Sequence, residues 1–346
     1  MPSYPHLRGI LASIILPHTQ QPPPHGRPLY VTPPRKVVPG TTIMLTCRAV
    51  GRSFRFLPSK KVVSTLWFVF AYAISRFNVD VHELCWMSNH FHLVLTTRDS
   101  QLPAMMQLLD SLASRALNAL RAWSGSNIER GYNFVVETDA DAILEHCAYT
   151  LANPCQADLV AYARQWGGLT SYRLSYGETL TVERPNFGLW GKVRKHLMTS
   201  PGRAARAGRT RTPDSVEFKL VRPPVWLDRS DEEVRAEVLR RVAVREAAAE
   251  AKRAAKGRRV LGMKRVRQQH WNDIPNSRDD MFGPVPKAAG SRWAVREAKQ
   301  RCRAFVREHR EALVRWLDGE LDVVFPYGTY LMRVRYRVRC AGPPLS

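Results

Sequence analysis

Two histidines two residues apart, His90 and His92, stand in the segment VHELCWMSNHFHLVLTT at residues 81–97. Side chains alternate between faces along a strand, so this spacing places both imidazoles on one face. Phe91 then falls on the other, beside Leu93 and Leu95. Two neutral imidazoles on one face make half of a divalent-metal site, and imidazole suits Mn, Ni or Zn rather better than Mg. A strand pair of this kind also occurs as a structural or merely exposed feature. A second polar row lies in ADAILEHCAYTLANPCQADLV at residues 140–160. Tyr149 and Asn153 are spaced to share a helix face one turn apart, with Glu145 one turn before Tyr149. Ile143, Leu144, Cys147, Ala148 and Leu151 form the opposite side, suited to packing on a sheet. A Glu–Tyr–Asn row over an apolar face is also the pattern of an ordinary amphipathic helix.

The elements that must position these rows follow from hydrophobic periodicity. Residues 41–50 alternate as a strand. Residues 58–77 carry a helical stripe of Val62, Leu66, Val69, Phe70, Ala73 and Ile74. Two strands, 80–87 and 90–96, are joined by Met87-Ser88-Asn89 as a hairpin. Pro103 opens a second helix, 103–123, where a missing N–H costs little. Its stripe is Met106, Leu109, Ala113, Ala116, Leu117 and Leu120. Residues 132–137 read as a further strand, after which Thr138 or Asp139 caps a third helix that Pro154 ends. This order predicts an α+β fold, a ferredoxin-like (split β-α-β) antiparallel sheet with helices on one face. Beyond residue 175 the pattern weakens. Ser230 with Glu233 forms a capping box for a helix to about residue 256. A second helix is expected at 292–317 and a terminal strand at 330–340, with polar linkers at 199–215 and 272–291. The expected organisation is a flexible Pro/His-rich tail at 1–34, a catalytic domain at 35–175 and a basic, largely helical accessory region at 176–346.

The chain has 346 residues, with 53 Lys and Arg against 30 Asp and Glu, a formal net charge of +23. Its hydrophobic fraction of 45% is too high for a chain disordered throughout. The charge is uneven: residues 1–200 carry 20 basic and 12 acidic side chains, residues 201–346 carry 33 and 18. Such an excess points to a polyanionic partner, nucleic acid before membrane. The most apolar stretch, 62–74, is short of the roughly 20 residues that span a bilayer, so no membrane insertion is expected. The start lacks a charged region and a small-residue cleavage site, which argues against a signal peptide. The 6 cysteines include no C-x-x-C pair, so neither a zinc knuckle nor a disulfide framework is expected, and a reducing cytoplasm fits.

Taken together, MSNHFHLVL at 87–95 and YTLANP at 149–154 resemble the paired motifs of the HUH single-strand transposases. The resemblance is closest to the REP-associated tyrosine transposases, relatives of the insertion-sequence transposases that use one catalytic tyrosine. WGGLTSY at 166–172 is similar to the tryptophan and Ser/Thr-rich turn that closes that family's domain. About residues 27–175 are covered. The family commonly has Pro where Ser88 stands, a departure that bears on the turn more than on the chemistry. The resemblance implies that His90 and His92 bind a divalent metal ion, Mg²⁺ or Mn²⁺, with Asn153 as a third, oxygen ligand. It implies that Tyr149 attacks a phosphodiester of single-stranded DNA at hairpin-forming repeats, leaving a 5′-phosphotyrosine and a free 3′-OH. The covalent link conserves the bond for rejoining, so no nucleotide cofactor is needed. A tyrosine hydroxyl with a pKa of about 10 is a poor nucleophile at neutral pH. A metal on a non-bridging oxygen withdraws charge and orients the phosphorus for in-line attack.

The partners so implied are single-stranded or hairpin DNA, met by a monomer or homodimer in a bacterial cytoplasm, at the nucleoid. The alternative of another class is a domesticated, non-catalytic DNA-binding protein that retains the fold. The three-His motif of replication initiators and relaxases is absent from the sequence, as is an aromatic RNP-like run of RNA readers. Glu145 is read as an outer-shell group or a solvated carboxylate, and His82 and His146 are placed outside the site. Arg48, Arg52 and Arg55 are candidates to track phosphates. Tyr132, Phe134, Trp123 and Trp166 are candidates for base stacking or for the core. The basic run through residues 240–267 reads either as a grip on duplex or hairpin DNA or as a solvated face.

Overall fold

The computed structural model describes residues 34, 36–190, 212–275 and 288–343. The tail expected at 1–34, apart from Pro34, lies outside the described residues, as do most of the two linkers. The chain divides into two compact units. The first comprises residues 40–192 and 213–296; the second holds the remaining segments, chiefly 297–346.

The first unit is built on a five-stranded sheet in the order β2-β3-β1-β4-β7. Its strands are β1 (Thr42–Arg48), β2 (Val79–Trp86), β3 (His90–Thr97), β4 (Asn133–Glu137) and the short β7 (Ala288–Ala289). All neighbours are antiparallel except β4 and β7. β1 sits centrally because its alternation suits both sides. Ile43, Leu45 and Cys47 lie opposite Leu95, Leu93 and Phe91 and are fully buried, while Thr42, Met44 and Thr46 oppose Thr96, Val94 and His92. One face is therefore apolar and the other carries hydroxyls and imidazole. A slip of one residue would exchange the two sets, which fixes the register. β7 falls where the sequence reads as linker. Its two alanines carry no periodic signal, and only pairing to the β4 edge makes them a strand.

Helix α1 (Lys60–Ile74) starts at Ser59, whose Oγ accepts from the Val62 N–H at 3.2 Å. It packs on α2 (Leu102–Arg121), which has Pro103 in its first turn. Helix α3 (Ala140–Gln156) starts at Asp139, whose Oδ1 accepts from the Ala142 N–H at 2.9 Å. Pro154 lies inside its last turn rather than beyond its end. α3 crosses the polar face of the sheet, where the Asn153 and His146 side chains bond His92 and Glu137.

Beyond residue 175 the first unit continues with strands β5 (Thr179–Glu183) and β6 (Ser215–Lys219), paired antiparallel. The Ser230–Glu233 capping box then opens α4 (Asp231–Ala255), which packs along α3, and a short α5 (Met263–Gln268) follows. Arg235 of α4 reaches Glu83 of β2, which is fully buried. It also donates to the carbonyls of Ser171 and Tyr172 at 3.0 and 2.7 Å. The Ser171 and Tyr176 hydroxyls donate to the same carboxylate at 2.5 and 2.7 Å. A boundary at 175 thus passes through this unit rather than between units.

In the second unit, Ala312, Leu313 and Trp316 of α6 (Arg292–Leu317) form a small core with Val323, Phe325, Met332 and Val338. The terminal strand expected at 330–340 is instead helix α7 (Leu331–Tyr336). It is followed by β9 (Arg339–Cys340), parallel to β8 (Val324–Phe325). The alternation of Arg333, Arg335, Arg337 and Arg339 mimics a strand period. The residues that burial selects, Met332 and Val338, do not alternate with solvent positions, because Leu331 and Val334 stay exposed.

Two groups of the first unit, the buried His82 and the half-buried Asp110, titrate in opposite senses. Burial pushes the His82 imidazole, held by Thr96 Oγ1 and the Val221 carbonyl at 2.8 Å each, down from 6.5 to about 4. Its stabilisation is complete above pH 6.5 and is lost as pH falls towards 4, because the unfolded chain takes the proton first. The loss totals about 3–4 kcal/mol at ~1.4 kcal/mol per unit. Burial pushes the Asp110 carboxyl of α2 up from 3.8 to about 7, so its contribution is lost as pH rises through that window. The two slopes cancel where they overlap. Wild-type stability measured by urea unfolding is expected to change little between pH 4.5 and 6.5 from this pair. The difference between wild type and His82→Asn should grow with pH, and that between wild type and Asp110→Asn should shrink. Flat differences for both variants would contradict the assigned burial.

Candidate functional site

The site is assembled where β1, β3 and α3 meet. The β1–β3 register sets Thr46 opposite His92, and its Oγ1 lies 2.9 Å from His92 Nδ1. On the other side of the ring, the Asn153 amide donates to Nε2 at 3.2 Å. An imidazole that accepts at Nε2 is neutral and keeps its proton on Nδ1, where Thr46 can accept it. His92 is only 4% exposed. Burial holds its pKa well below 6.5, helped by the positive potential of His90, His146 and Arg48. Neutral imidazole is the form that ligates metal.

His90 is half-buried, with Nδ1 2.8 Å from Asn89 Oδ1, and its ring centroid lies 4.9 Å from that of His92. The Tyr149 ring, half-buried on α3, stands 5.3 Å from the His92 ring at a steep angle of 77°. All four residues singled out from the sequence, His90, His92, Tyr149 and Asn153, therefore meet at one place. Among the described residues no cluster of three or more His, Cys, Asp or Glu forms a metal site. Two imidazoles and an amide are instead the available donors.

Three features escape the sequence reading. Arg245 of α4 places its guanidinium 5.6 Å from the Tyr149 ring centroid. Glu145, with its side chain 40% exposed, pairs with Arg241 at 2.8 Å and Arg245 at 2.6 Å, tying α4 to the tyrosine helix. His146 shares its Nδ1 proton with Glu137 Oε1 at 2.6 Å, and its ring lies 6.4 Å from that of Tyr149. The helical spacing from His146 to Tyr149 was legible as a signal; Arg245 had none, lying in a segment without a motif. His82, also set aside, is a buried structural residue.

Several candidates for DNA contact serve the fold instead. Arg55 is buried between Trp123 and Trp271, 4.3 and 4.5 Å from their ring centroids. Tyr132 is buried, and so is Trp166, whose Nε1 donates to the Trp86 carbonyl at 3.0 Å. Arg240 and Arg241 pair with Glu237, and buried Arg253 donates to the Cys155 carbonyl. Lys252, Lys256, Arg259, Lys264 and Arg265 remain exposed. All 6 cysteines are free thiols, and no described helix is long and apolar enough to cross a membrane.

The first unit is thus a mixed α/β protein whose mostly antiparallel sheet presents a histidine pair to a tyrosine and an amide on one helix. Among solved structures, the chain is similar to a REP-associated tyrosine transposase bound to a REP hairpin. The identity is 12% and the TM-score 0.35, over 40% of this chain and 79% of that one. It is also similar to a candidate transposase from Deinococcus radiodurans R1, at 16% identity and a TM-score of 0.24, over 30% and 85% of the respective chains. These values describe a partial likeness of fold and nothing of substrate. No family profile matches the sequence, and neither does any curated protein.

Proposed function

We propose that this chain cleaves and rejoins single-stranded DNA through a 5′-phosphotyrosine on Tyr149, in a transposase-like reaction at hairpin-forming repeats. The observation that carries the reading is the convergence of Tyr149 with His92, ring centroids 5.3 Å apart, at a point that also gathers His90 and Asn153. The strand order 2-3-1-4 across a β-α-β-β-α-β succession supports the ferredoxin-like, split β-α-β reading of the sheet.

The chain's own residues divide the work. Tyr149 Oη bonds to phosphorus, the bond from phosphorus to the 3′ oxygen breaks, and the strand leaves as a 3′-OH. Attack by a 3′-OH on the phosphotyrosine reverses the step, so the bond is conserved without a nucleotide cofactor. Thr46 fixes the His92 ring and its tautomer, and the Glu145–Arg245 pair holds a guanidinium beside the nucleophile. His90, His92 and Asn153 would hold a divalent ion, Mg²⁺ or Mn²⁺, and of the two the imidazole pair favours Mn²⁺. Bound there, it would withdraw charge from a non-bridging phosphate oxygen. The exposed cations of residues 252–265 are proposed to grip the DNA backbone.

The test is to incubate the purified chain with 3′-labelled single-stranded hairpin DNA and Mn²⁺ and then denature it. Label should remain on the protein, and mass spectrometry should place it on the Tyr149 peptide. Binding without any adduct, on hairpins carrying the native flanking sequences, would favour the alternative of a non-catalytic DNA-binding protein.

A further inference from the structure

We propose that His146, oriented by Glu137, is the proton acceptor for the Tyr149 hydroxyl; this rests on the reading of Tyr149 as the nucleophile. A phenol must shed its proton as it attacks, and a positioned base supplies this most directly. Among the described contacts of Tyr149, His146 is the base best placed. His90 and His92 are assigned to the metal ion, and His92 has both ring nitrogens engaged. Glu145 is held by two arginines. His146 sits one turn before Tyr149 on the same helix, with ring centroids 6.4 Å apart.

The second observation is the carboxylate behind it. Glu137 ends β4 with its side chain fully buried, and its Oε1 accepts a hydrogen bond from His146 Nδ1–H at 2.6 Å. That bond fixes the tautomer, leaving the Nε2 lone pair free on the far side of the ring as an acceptor. It also places a negative charge where the imidazolium would form. The His146 side chain is 23% exposed, so it can exchange its proton with solvent. Glu137, His146 and Tyr149 thus stand in the order of orienter, base and nucleophile.

The proton balance is closed. The phenolic proton passes to His146 Nε2 as Oη bonds to phosphorus, and the electron pair of the broken bond stays on the 3′ oxygen, which is protonated from solvent. On rejoining, the 3′-OH loses its proton to solvent, and the departing phenolate recovers its own from the imidazolium.

The adduct assay with the full chain tests this. His146→Ala should form the adduct about 100-fold more slowly, with DNA affinity unchanged and a lower unfolding temperature, because the buried Glu137 carboxylate loses its partner. Added imidazole should restore at least a tenfold part of that loss while leaving wild type unaffected. His146→Gln, which keeps a hydrogen bond to Glu137 but has no basic nitrogen, should be as slow and should not respond to imidazole; it also serves if the alanine variant does not fold. Wild-type rates in either variant, or a slow folded His146→Ala chain that imidazole does not rescue, would overturn the assignment of His146 alone. A wild-type chain that forms no adduct would overturn the reading of Tyr149 and this one with it.

Discussion

Tyr149→Phe is expected to form no covalent adduct with single-stranded DNA, a loss of at least about 10⁴-fold, the order seen when a nucleophile is deleted. Only the hydroxyl is lost. The ring that faces His92 at 5.3 Å and lies beside the Arg245 guanidinium remains, so the packing of α3 on the sheet is kept. Affinity for hairpin DNA and the unfolding temperature should therefore match wild type. This separates the nucleophile from its surroundings. His92→Ala, by contrast, removes a ring held by both Thr46 and Asn153 and would disturb stability as well as chemistry. Gel shift, thermal unfolding and adduct trapping on the same preparation make the distinction. A persisting adduct in Tyr149→Phe would show that another residue attacks. A parallel loss of DNA binding would show that the hydroxyl serves recognition instead.

The convergence of the four candidate residues was legible in the sequence because both halves of the candidate site lie on regular elements. A strand puts His90 and His92 on one face by its period of two, and a helix puts Tyr149 and Asn153 one turn apart. What periodicity could not give is the partner across a sheet or between helices. Thr46 meets His92 only through the β1–β3 register, and Arg245 meets Tyr149 only because α4 packs on α3. The two arginine partners of Glu145 lie about a hundred residues further along the chain, beyond the reach of periodicity. The same limit explains the aromatic and basic candidates. Arg55 reads as an exposed cation until Trp123 and Trp271 are seen to enclose it. In the second unit, alternating arginines imitated a strand, because charge alternation is not burial alternation.

Arg235→Leu is expected to lower the unfolding free energy of the first unit by about 3–5 kcal/mol, the cost of leaving a buried charge without its partner. Glu83 is fully buried in β2, and burial pushes its carboxyl above the usual carboxylate range; the Arg235 charge and the Ser171 and Tyr176 hydroxyls oppose that push. Without the guanidinium, Glu83 must take up a proton or admit water, and the carbonyls of Ser171 and Tyr172 lose their donor. Glu83→Leu combined with Arg235→Leu should recover much of the loss, since an apolar pair needs no counter-charge. Urea unfolding of the two single variants and the double variant reads this as a coupling energy. A single-variant cost below about 1 kcal/mol would mean that the pair is solvated, as surface pairs are. The same reasoning extends to truncation. A fragment ending at residue 175 keeps His90, His92, Tyr149 and Asn153 yet loses Arg235, Tyr176 and the whole of α4 against α3. It should fail to unfold cooperatively, and a fragment that does so at a wild-type urea midpoint would show that α4 is accessory after all. The basic segment beyond residue 213 would then be a grip alone. With the buried pair intact, it is the wall that holds the tyrosine helix in place.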